Sequence, residues 1–497
     1  MDNHTMERLG YDRLELGSER RRLLTQKVTD FIEEHLQKVE KKETACFNIN
    51  DDRASGLLNF SISEEPKDIE SLLKVYEEHV LQNGVDLSHG GHLGLIPSGS
   101  AVYPAALGDF LAASINRHSC AFYLGPGAAR LEQLLISWVA GLFNFPAGFA
   151  GNLTSGGSTA TVLSFLTARQ SKQLKARDFE RTVIYLTDAL HVCAYKALNV
   201  IGLGEAILRK VPMDKKFRMV PEELRKIVKR DKEAGLLPAI VAASVGTTNF
   251  GSVDPIDEIA DVAEEFNLWL HVDAAYGGFF VLVDEMKYHF KGVHRADSII
   301  VDPHKSLFMP LGLGVVVVKD GYKLHNANIL TVEASYLRDV DMFQDEKSPK
   351  NFSFELSKHF RGVRVWLPLQ LYGIKPFREC LKEKVELARY FTSRLGEIPG
   401  FVVDNYPQLT VVTFHYETGN DDTNERVNQH LLERILQDGS VYISSTTIGG
   451  KFRLRICVLH FRSHKDTIDF LLSFLTKAAV SLSSGMIKKL HWRKCKV

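Results

Sequence analysis

From Glu19 to Val39 apolar residues recur at Leu23, Leu24, Val28, Phe31, Ile32 and Leu36, with charged residues between them. Spacings of this kind predict a helix with one apolar stripe, and a single stripe must bury itself against another surface. Residues 41–66 are polar and read as loop, and 67–82 read as a second helix. Further on the texture changes. Short runs rich in β-branched residues, TVIYLT (182–187), AIVAASV (239–245), LWLHVDA (268–274), SIIVD (298–302) and GVVVVKD (314–320), alternate with helical stretches. Runs with no polar face suit strands covered by helices on both sides, and their alternation with helices predicts a doubly wound α/β domain. The last third changes again. A helix over 376–396, the strands FVVD and TVVTFHY, a helix over 425–437 and the strands VYISSTT and FRLRICVL predict a small α+β domain. The expected organisation is an N-terminal helical segment (1–90), an α/β domain (91–373), a small α+β domain (374–484) and a basic tail (485–497). That tail, with five Lys/Arg and no acid from Ser483 onward, is expected to be solvated.

Composition narrows the class without naming it. The 497 residues are 45% hydrophobic and 25% charged, ordinary values for a globular protein. Lys+Arg and Asp+Glu balance at 61 each, so no global field points to a nucleic-acid partner. The apolar runs are too short for a transmembrane span, and the first residues lack the apolar core of a secretory signal. Six scattered cysteines, with no CxxC pair, argue against a metal knuckle or disulfide scaffold. They favour a reducing compartment, and the expectation is a cytoplasmic enzyme or subunit.

The stretch ADSIIVDPHKSLFMPLGLG (296–314) carries the first chemical signal. Lys305 stands between two segments that both want to be inside. A lysine there is costly unless it is paired, neutral or covalently used. Two further stretches bear on the choice. In GNLTSGGSTATVLSF, Gly156 and Gly157 precede an apolar-faced helix, so backbone N–H groups and a helix start can approach an anion, with Ser155 and Ser158 as added donors. In LHVDAAYGGFF an apolar strand ends in Asp273, and strand ends in α/β sheets are where ligands sit. A phosphate cradle, a strand-end aspartate and a strand-end lysine together suggest pyridoxal 5′-phosphate. The lysine amine would form a Schiff base with its aldehyde and the aspartate would keep its ring nitrogen protonated.

These motifs carry a resemblance. TSGGSTA, DALHVCAYKA, VGTTNFGSVDPI, HVDAAYGG and DPHKSLF, with YPAALGDFL and FRGVRVWLPLQLYG, resemble the group II pyridoxal-phosphate-dependent amino acid decarboxylases, the family of aromatic amino acid and glutamate decarboxylases. The resemblance runs from about residue 85 to beyond 460. It implies the fold type I architecture of PLP-dependent transferases: a mixed, mostly parallel sheet flanked by helices, and a homodimer with shared active sites. It implies Lys305 as the Schiff-base lysine, Asp273 on the pyridinium nitrogen, His191 stacked on one ring face with a part in proton transfer, and Ala275 on the other. Thr248 supports the site near Asp273. Gly156, Gly157 and Ser158 sit at the phosphate, and Asp302 and His304 flank the lysine and help hold the cofactor. Asp302 stands where several relatives carry Asn. The implied reaction converts an L-amino acid to its amine and CO2.

The substrate side departs from the pattern. Leu95 and Ile96, in HLGLIPSGSAVYP, stand where aromatic amino acid decarboxylases place aromatic walls, Pro97 beside them is a further substrate-side candidate, and Leu311 is a further apolar lining candidate. Aliphatic walls forgo about 0.5–1.5 kcal/mol of ring pairing per contact, so medium apolar, aromatic and small acidic amino acids all stay open. Arg455 resembles a small-domain arginine that receives the substrate carboxylate. Many relatives carry a loop tyrosine before the FRGVRVW segment. Alignment back from Arg361 brings Pro349 or its neighbours there, with Phe352 and Phe354 nearby and Tyr336 further upstream. Without that hydroxyl, oxygen can trap the carbanion and yield an aldehyde. Residues 331–353 are the expected lid. A catalytically silent binding protein is the third alternative, opposed by the intact Lys305, Asp273 and His191.

Overall fold

The N-terminal apolar stripe forms helix α1, Ser18–Glu40. The computed structural model describes residues 14–49, 51–329 and 348–483, and the chain divides into two compact units, Met1–His92 with Ile435–Tyr442, and Leu93–Arg434 with Ile443–Val497. In the first unit α2, Ile69–Tyr76, starts at Asp68, whose carboxylate accepts the Ser71 N–H at 2.8 Å. Phe31 on α1 meets Tyr76 edge-on at 6.3 Å. The polar stretch read as loop is more structured than expected. Phe47–Asn48 pairs antiparallel with Gly84–Val85, and a five-residue helix, Asp51–Ser55, runs into a tighter turn, Gly56–Asn59. A helix this short, with no buried residue, leaves no apolar period to read.

The second unit is built on a seven-stranded sheet. Its strands are β1 (Ala150–Thr154), β2 (Thr182–Leu186), β3 (Ile207–Lys210), β4 (Leu237–Ser244), β5 (Trp269–Asp273), β6 (Ser298–Val301) and β7 (Gly314–Val318), in the order β1-β7-β6-β5-β4-β2-β3. The β3-β2-β4-β5-β6 run is parallel throughout, and β7 lies antiparallel to both β6 and β1. Alternate side chains explain the unbroken apolar runs. Val183, Tyr185, Val241, Leu270, Val272, Ile299 and Val315 enter one core, and Ile184, Leu186, Ile240, Trp269, Ile300 and Val316 enter another. Each strand is thus buried on both faces.

Two strands of this sheet went unread in the sequence. β1 is AGNLT, and its Asn152 is 1% exposed. Asn152 Nδ2 donates to the carbonyls of Pro349 (3.0 Å) and Phe352 (3.3 Å), and its Oδ1 accepts from Lys358 Nζ at 2.7 Å. Tertiary hydrogen bonds therefore pay for a polar residue inside the sheet. β3 is a short edge strand. A second sheet, β8 (Phe401–Val403), β9 (Val411–Tyr416), β10 (Ser444–Ile448) and β11 (Lys451–Cys457), is antiparallel in the order β8-β9-β11-β10. The helices Lys375–Gly396 and Lys465–Ser483 accompany it. The expected boundary at 90 lies beside the division after His92, whereas the one at 373/374 falls inside the second unit. The basic tail and Tyr336 lie outside the described residues. No helix among the described residues is long and apolar enough to cross a membrane.

Candidate active site

The parallel strands bring their carboxyl ends to one edge, where α/β sheets bind ligands. Ser244 at the end of β4 is in register with Asp273 at the end of β5, and Asp273 with Ile300 on β6. Asp302 follows β6 and opens a single helical turn, α5 (Pro303–Ser306), which carries His304 and Lys305. On the other side β1 ends at Thr154, paired with Gly314 of β7. The chain then turns through Ser155 and Gly156 into α3, Gly157–Ser171. His191 lies just ahead of α4, Cys193–Val200.

These elements enclose a cavity of about 300 Å³. All ten residues expected at the cofactor line it: Gly156, Gly157, Ser158, His191, Thr248, Asp273, Ala275, Asp302, His304 and Lys305. Cys193, Ser244, Gly246, Thr247 and Tyr276 line it too and were not singled out. Each sits within or beside a quoted motif, but nothing in a one-dimensional pattern tells which neighbours of a functional residue turn inward. Burial pushes the Cys193 thiol up to about 12, so it stays protonated at neutral pH.

The charges in the cavity are arranged around Lys305. Its Nζ lies 2.9 Å from Asp302 Oδ2, and Asp302 is 1% exposed. Burial pulls the lysine's pKa down, but the carboxylates of Asp302 and Asp273 outweigh it and the net shift is upward. The costly lysine of the sequence is thus paired. Asp273 is shifted upward by burial, opposed by the Lys305 ammonium and by the Ala275 N–H, which donates to Oδ1 at 3.0 Å. Burial lowers the pKa values of His191 and His304, keeping both imidazoles neutral. His191 Nδ1 accepts the Cys193 N–H at 3.3 Å, so its proton resides on Nε2. His304 Nδ1 meets the Leu313 carbonyl.

The glycine turn is needed for shape. Gly156 has φ +147°, a conformation that side chains rarely adopt. A Cβ on Gly157 would fall 2.7 Å from Asp302 Oδ2. Bare backbone therefore lines this side of the cavity, and the N–H groups opening α3 have only helix-start geometry around them. An anion, an aldehyde and a ring nitrogen each find a counterpart on these walls: the start of α3 with Ser158, the Lys305 amine, and Asp273, whose second oxygen has no protein donor among the described residues. The donor set fits pyridoxal 5′-phosphate.

The residues expected around the substrate are not brought to this cavity wall. Leu95 is 58% exposed with φ +50°, and Ile96 and Pro97 are buried elsewhere. Arg455 is 3% exposed. Its guanidinium donates to the carbonyls of Leu95 and Thr248, to that of Asn249 at 3.3 Å and to Ser444 Oγ at 3.2 Å. It ties the Leu95 segment and the Thr248 turn to β11. The same segment reaches the lysine turn through Gly99 N–H, which donates to the His304 carbonyl at 2.7 Å. Leu311, 49% exposed, does line the cavity. Of the expected lid, 348–353 is anchored: Ser348 Oγ accepts the Phe122 N–H at 3.0 Å, and Lys350 N–H donates to the Cys120 carbonyl at 2.8 Å. Phe352 is buried and Phe354 is 52% exposed.

A doubly covered, mostly parallel sheet whose end carries a lysine, a carboxylate and a glycine-opened helix around one cavity defines a fold type I pyridoxal-phosphate enzyme. The sequence matches the pyridoxal-dependent decarboxylase conserved domain over residues 52–417, and the chain belongs to that family of PLP-dependent carboxy-lyases acting on amino acids. It is 31% identical to an aromatic-L-amino-acid decarboxylase of Bacillus atrophaeus over 456 residues, covering 91% of this chain and 94% of the relative. It is 27% identical to a phenylacetaldehyde synthase of Petunia hybrida, over 87% of this chain and 88% of that one. The solved structure of Oryza sativa TDC with PLP and tryptamine superposes with a TM-score of 0.88 at 24% identity, covering 94% of this chain and 99% of the other.

Proposed function

We propose that the protein decarboxylates an L-amino acid with an aromatic or other apolar side chain to the amine and CO2, using Lys305 as the covalent anchor of its cofactor. The observation that carries this reading is the convergence of Lys305, Asp273 and the glycine-opened helix α3 on one cavity of about 300 Å³. When bound, pyridoxal 5′-phosphate supplies an electron sink for the pair left behind by departing CO2. The chain's own groups make that sink effective. Asp273 holds a proton on the ring nitrogen, and each pKa unit of mismatch there is worth about 1.4 kcal/mol. Gly156, Gly157 and Ser158 take the phosphate, and Thr248 braces the turn facing Asp273. Ala275, 7% exposed, leaves room for a ring face that a larger side chain would block. His191, neutral with its proton on Nε2, would lie at the other ring face, where that proton could pass to carbon. Asp302 and His304 hold the lysine turn in place.

The preference for an apolar side chain is supported by Leu311 at the cavity and by the names of the relatives. A second reading, oxidative deamination to an aldehyde, is favoured by one observation: the aromatics flanking the anchored stretch after 348 are Phe352 and Phe354, neither of which has a proton to give. We further propose a homodimer, supported by the exposed apolar residues Leu107 (40%), Phe110 (57%), Leu111 (47%) and Ile115 (60%) along one helix, Tyr103–Ile115. A cytoplasmic setting is supported by five unpaired cysteines among the described residues.

The test is to incubate the purified protein and pyridoxal 5′-phosphate with tryptophan, tyrosine, phenylalanine, leucine and glutamate, following CO2 and organic product together. Amine equal to CO2 supports the first reading. Aldehyde with ammonia and peroxide supports the second, and no CO2 from any amino acid defeats both.

A further inference from the structure

Asp302 occupies the N-cap position of α5, yet its side chain makes no capping bond. An aspartate there ordinarily accepts an N–H from the first turn. Here Oδ2 turns to Lys305 Nζ at 2.9 Å, and Oδ1, fully buried, has no hydrogen-bond partner. The carboxylate has left its local role, at the cost of an unsatisfied buried oxygen, for contact with the Lys305 ammonium, with the neutral His304 Nε2 3.7 Å from the same oxygen. The other titratable groups facing Lys305 are Asp273 from the end of β5, His191 and Cys193 from α4 and its lead-in, and His304 beside it on α5. Among the described residues only Asp302 lies within ion-pair distance of Nζ.

We propose that Asp302 is a positioning residue that holds Lys305 as an ammonium in the cofactor-free protein and so sets the pH at which Lys305 can capture an aldehyde. This rests on the reading of Lys305 as the cofactor lysine. Capture joins Nζ to the carbonyl carbon through the nitrogen lone pair and releases the carbonyl oxygen as water. An ammonium has no such pair, so one proton must first leave Nζ for solvent through the cavity. A carboxylate at 2.9 Å holds that proton on, whereas Asn at position 302 would keep a hydrogen-bond acceptor and lose the charge. The upward net shift of Lys305 agrees with this geometry.

The experiment uses the full-length, cofactor-free chain and its Asp302→Asn variant. Both are pulse-labelled with acetic anhydride across pH 6.5–10.5, and acetylation of the Lys305 peptide is read by mass spectrometry against the exposed Lys375 in the same digest. The expected result is a Lys305 midpoint at least about one unit lower in the variant, seen as roughly tenfold faster labelling at pH 7.5, with Lys375 unmoved. An unchanged or higher midpoint overturns the proposal. Should Asp302→Asn not fold, by circular dichroism, the wild-type profile alone decides: the proposal requires Lys305 to titrate above Lys375, and a midpoint at or below it overturns the claim. A parallel sample with pyridoxal 5′-phosphate and borohydride separates the two ideas. Absence of pyridoxyl label on wild-type Lys305 defeats the cofactor reading, while the acetylation profile still reports on Asp302.

Discussion

Two buried lysines of the second unit sit in opposite surroundings. Lys384, 0% exposed on the helix Lys375–Gly396, donates to the Ser463 carbonyl at 2.5 Å, the Phe461 carbonyl at 3.4 Å and Glu383 Oε2 at 2.7 Å. Its three donor positions are spent on three acceptors. Lys305 retains 21% side-chain exposure, has one close carboxylate, and faces a cavity. A satisfied lysine ties elements together. A lysine with a charge partner, room beside it and an incompletely bonded neighbour is held ready for chemistry. Burial alone separates structural from reactive groups poorly; the bonds left unmade do it better.

Exchanging one lysine at a time breaks that contrast most strongly. Lys305→Ala should lower decarboxylation per folded molecule by at least about a thousandfold, as loss of a covalent group does, and it should also lower the urea midpoint by stranding the buried Asp302 carboxylate. Lys384→Ala should act on stability alone. It leaves two carbonyls and a carboxylate without their cation, a loss of about 3–5 kcal/mol by urea unfolding, with turnover per folded molecule unchanged. Arg455 sharpens the same point, since its guanidinium meets carbonyls. Arg455→Ala should destabilise by about 2–3 kcal/mol through the stranded carbonyls of Leu95, Thr248 and Asn249. It should raise KM less than tenfold, because those segments loosen; a much larger KM effect would support the carboxylate-receiving role that the resemblance implies.

The smallest effect concerns a buried acid bonded unlike Asp302. Asp254 accepts the N–H groups of Met219 at 2.7 Å and Ser244 at 2.8 Å, and burial still lifts its pKa from 3.8 to about 6. A folded-state value above the unfolded one means that its ionised form costs stability. That cost is full above about pH 6 and is relieved as pH falls toward 4. The stability of wild type relative to Asp254→Asn should therefore rise by about 1–2 kcal/mol between pH 7 and pH 4.5. A pH-independent difference would show that the two N–H bonds already neutralise the burial.

The contrast also marks how far the sequence could be read. Strands β2, β4, β5, β6 and β7 were visible because both of their faces are buried, which forces unbroken apolar runs. The cofactor side was visible because its residues sit at strand ends and a glycine turn, where local chemistry and geometry coincide. β1 was hidden since Asn152 is satisfied only by distant carbonyls and Lys358. The substrate side was not legible for a related reason. An arginine in RLRICV looks the same in one dimension whether it meets a ligand carboxylate or three backbone carbonyls. Asp302 is the subtlest case: its place beside Lys305 was plain, but its missing cap bond and its orphaned oxygen are facts of three dimensions only.

The central claim is that Lys305, and not the better-buried Lys384, is the residue joined to the cofactor. The direct measurement is borohydride reduction of the pyridoxal 5′-phosphate-loaded protein, proteolysis, and mass spectrometry of the pyridoxyl peptide. The account predicts one label per chain, on the peptide containing Asp302-Pro303-His304-Lys305. A label on any other lysine, or none on that peptide at full cofactor loading, would contradict it.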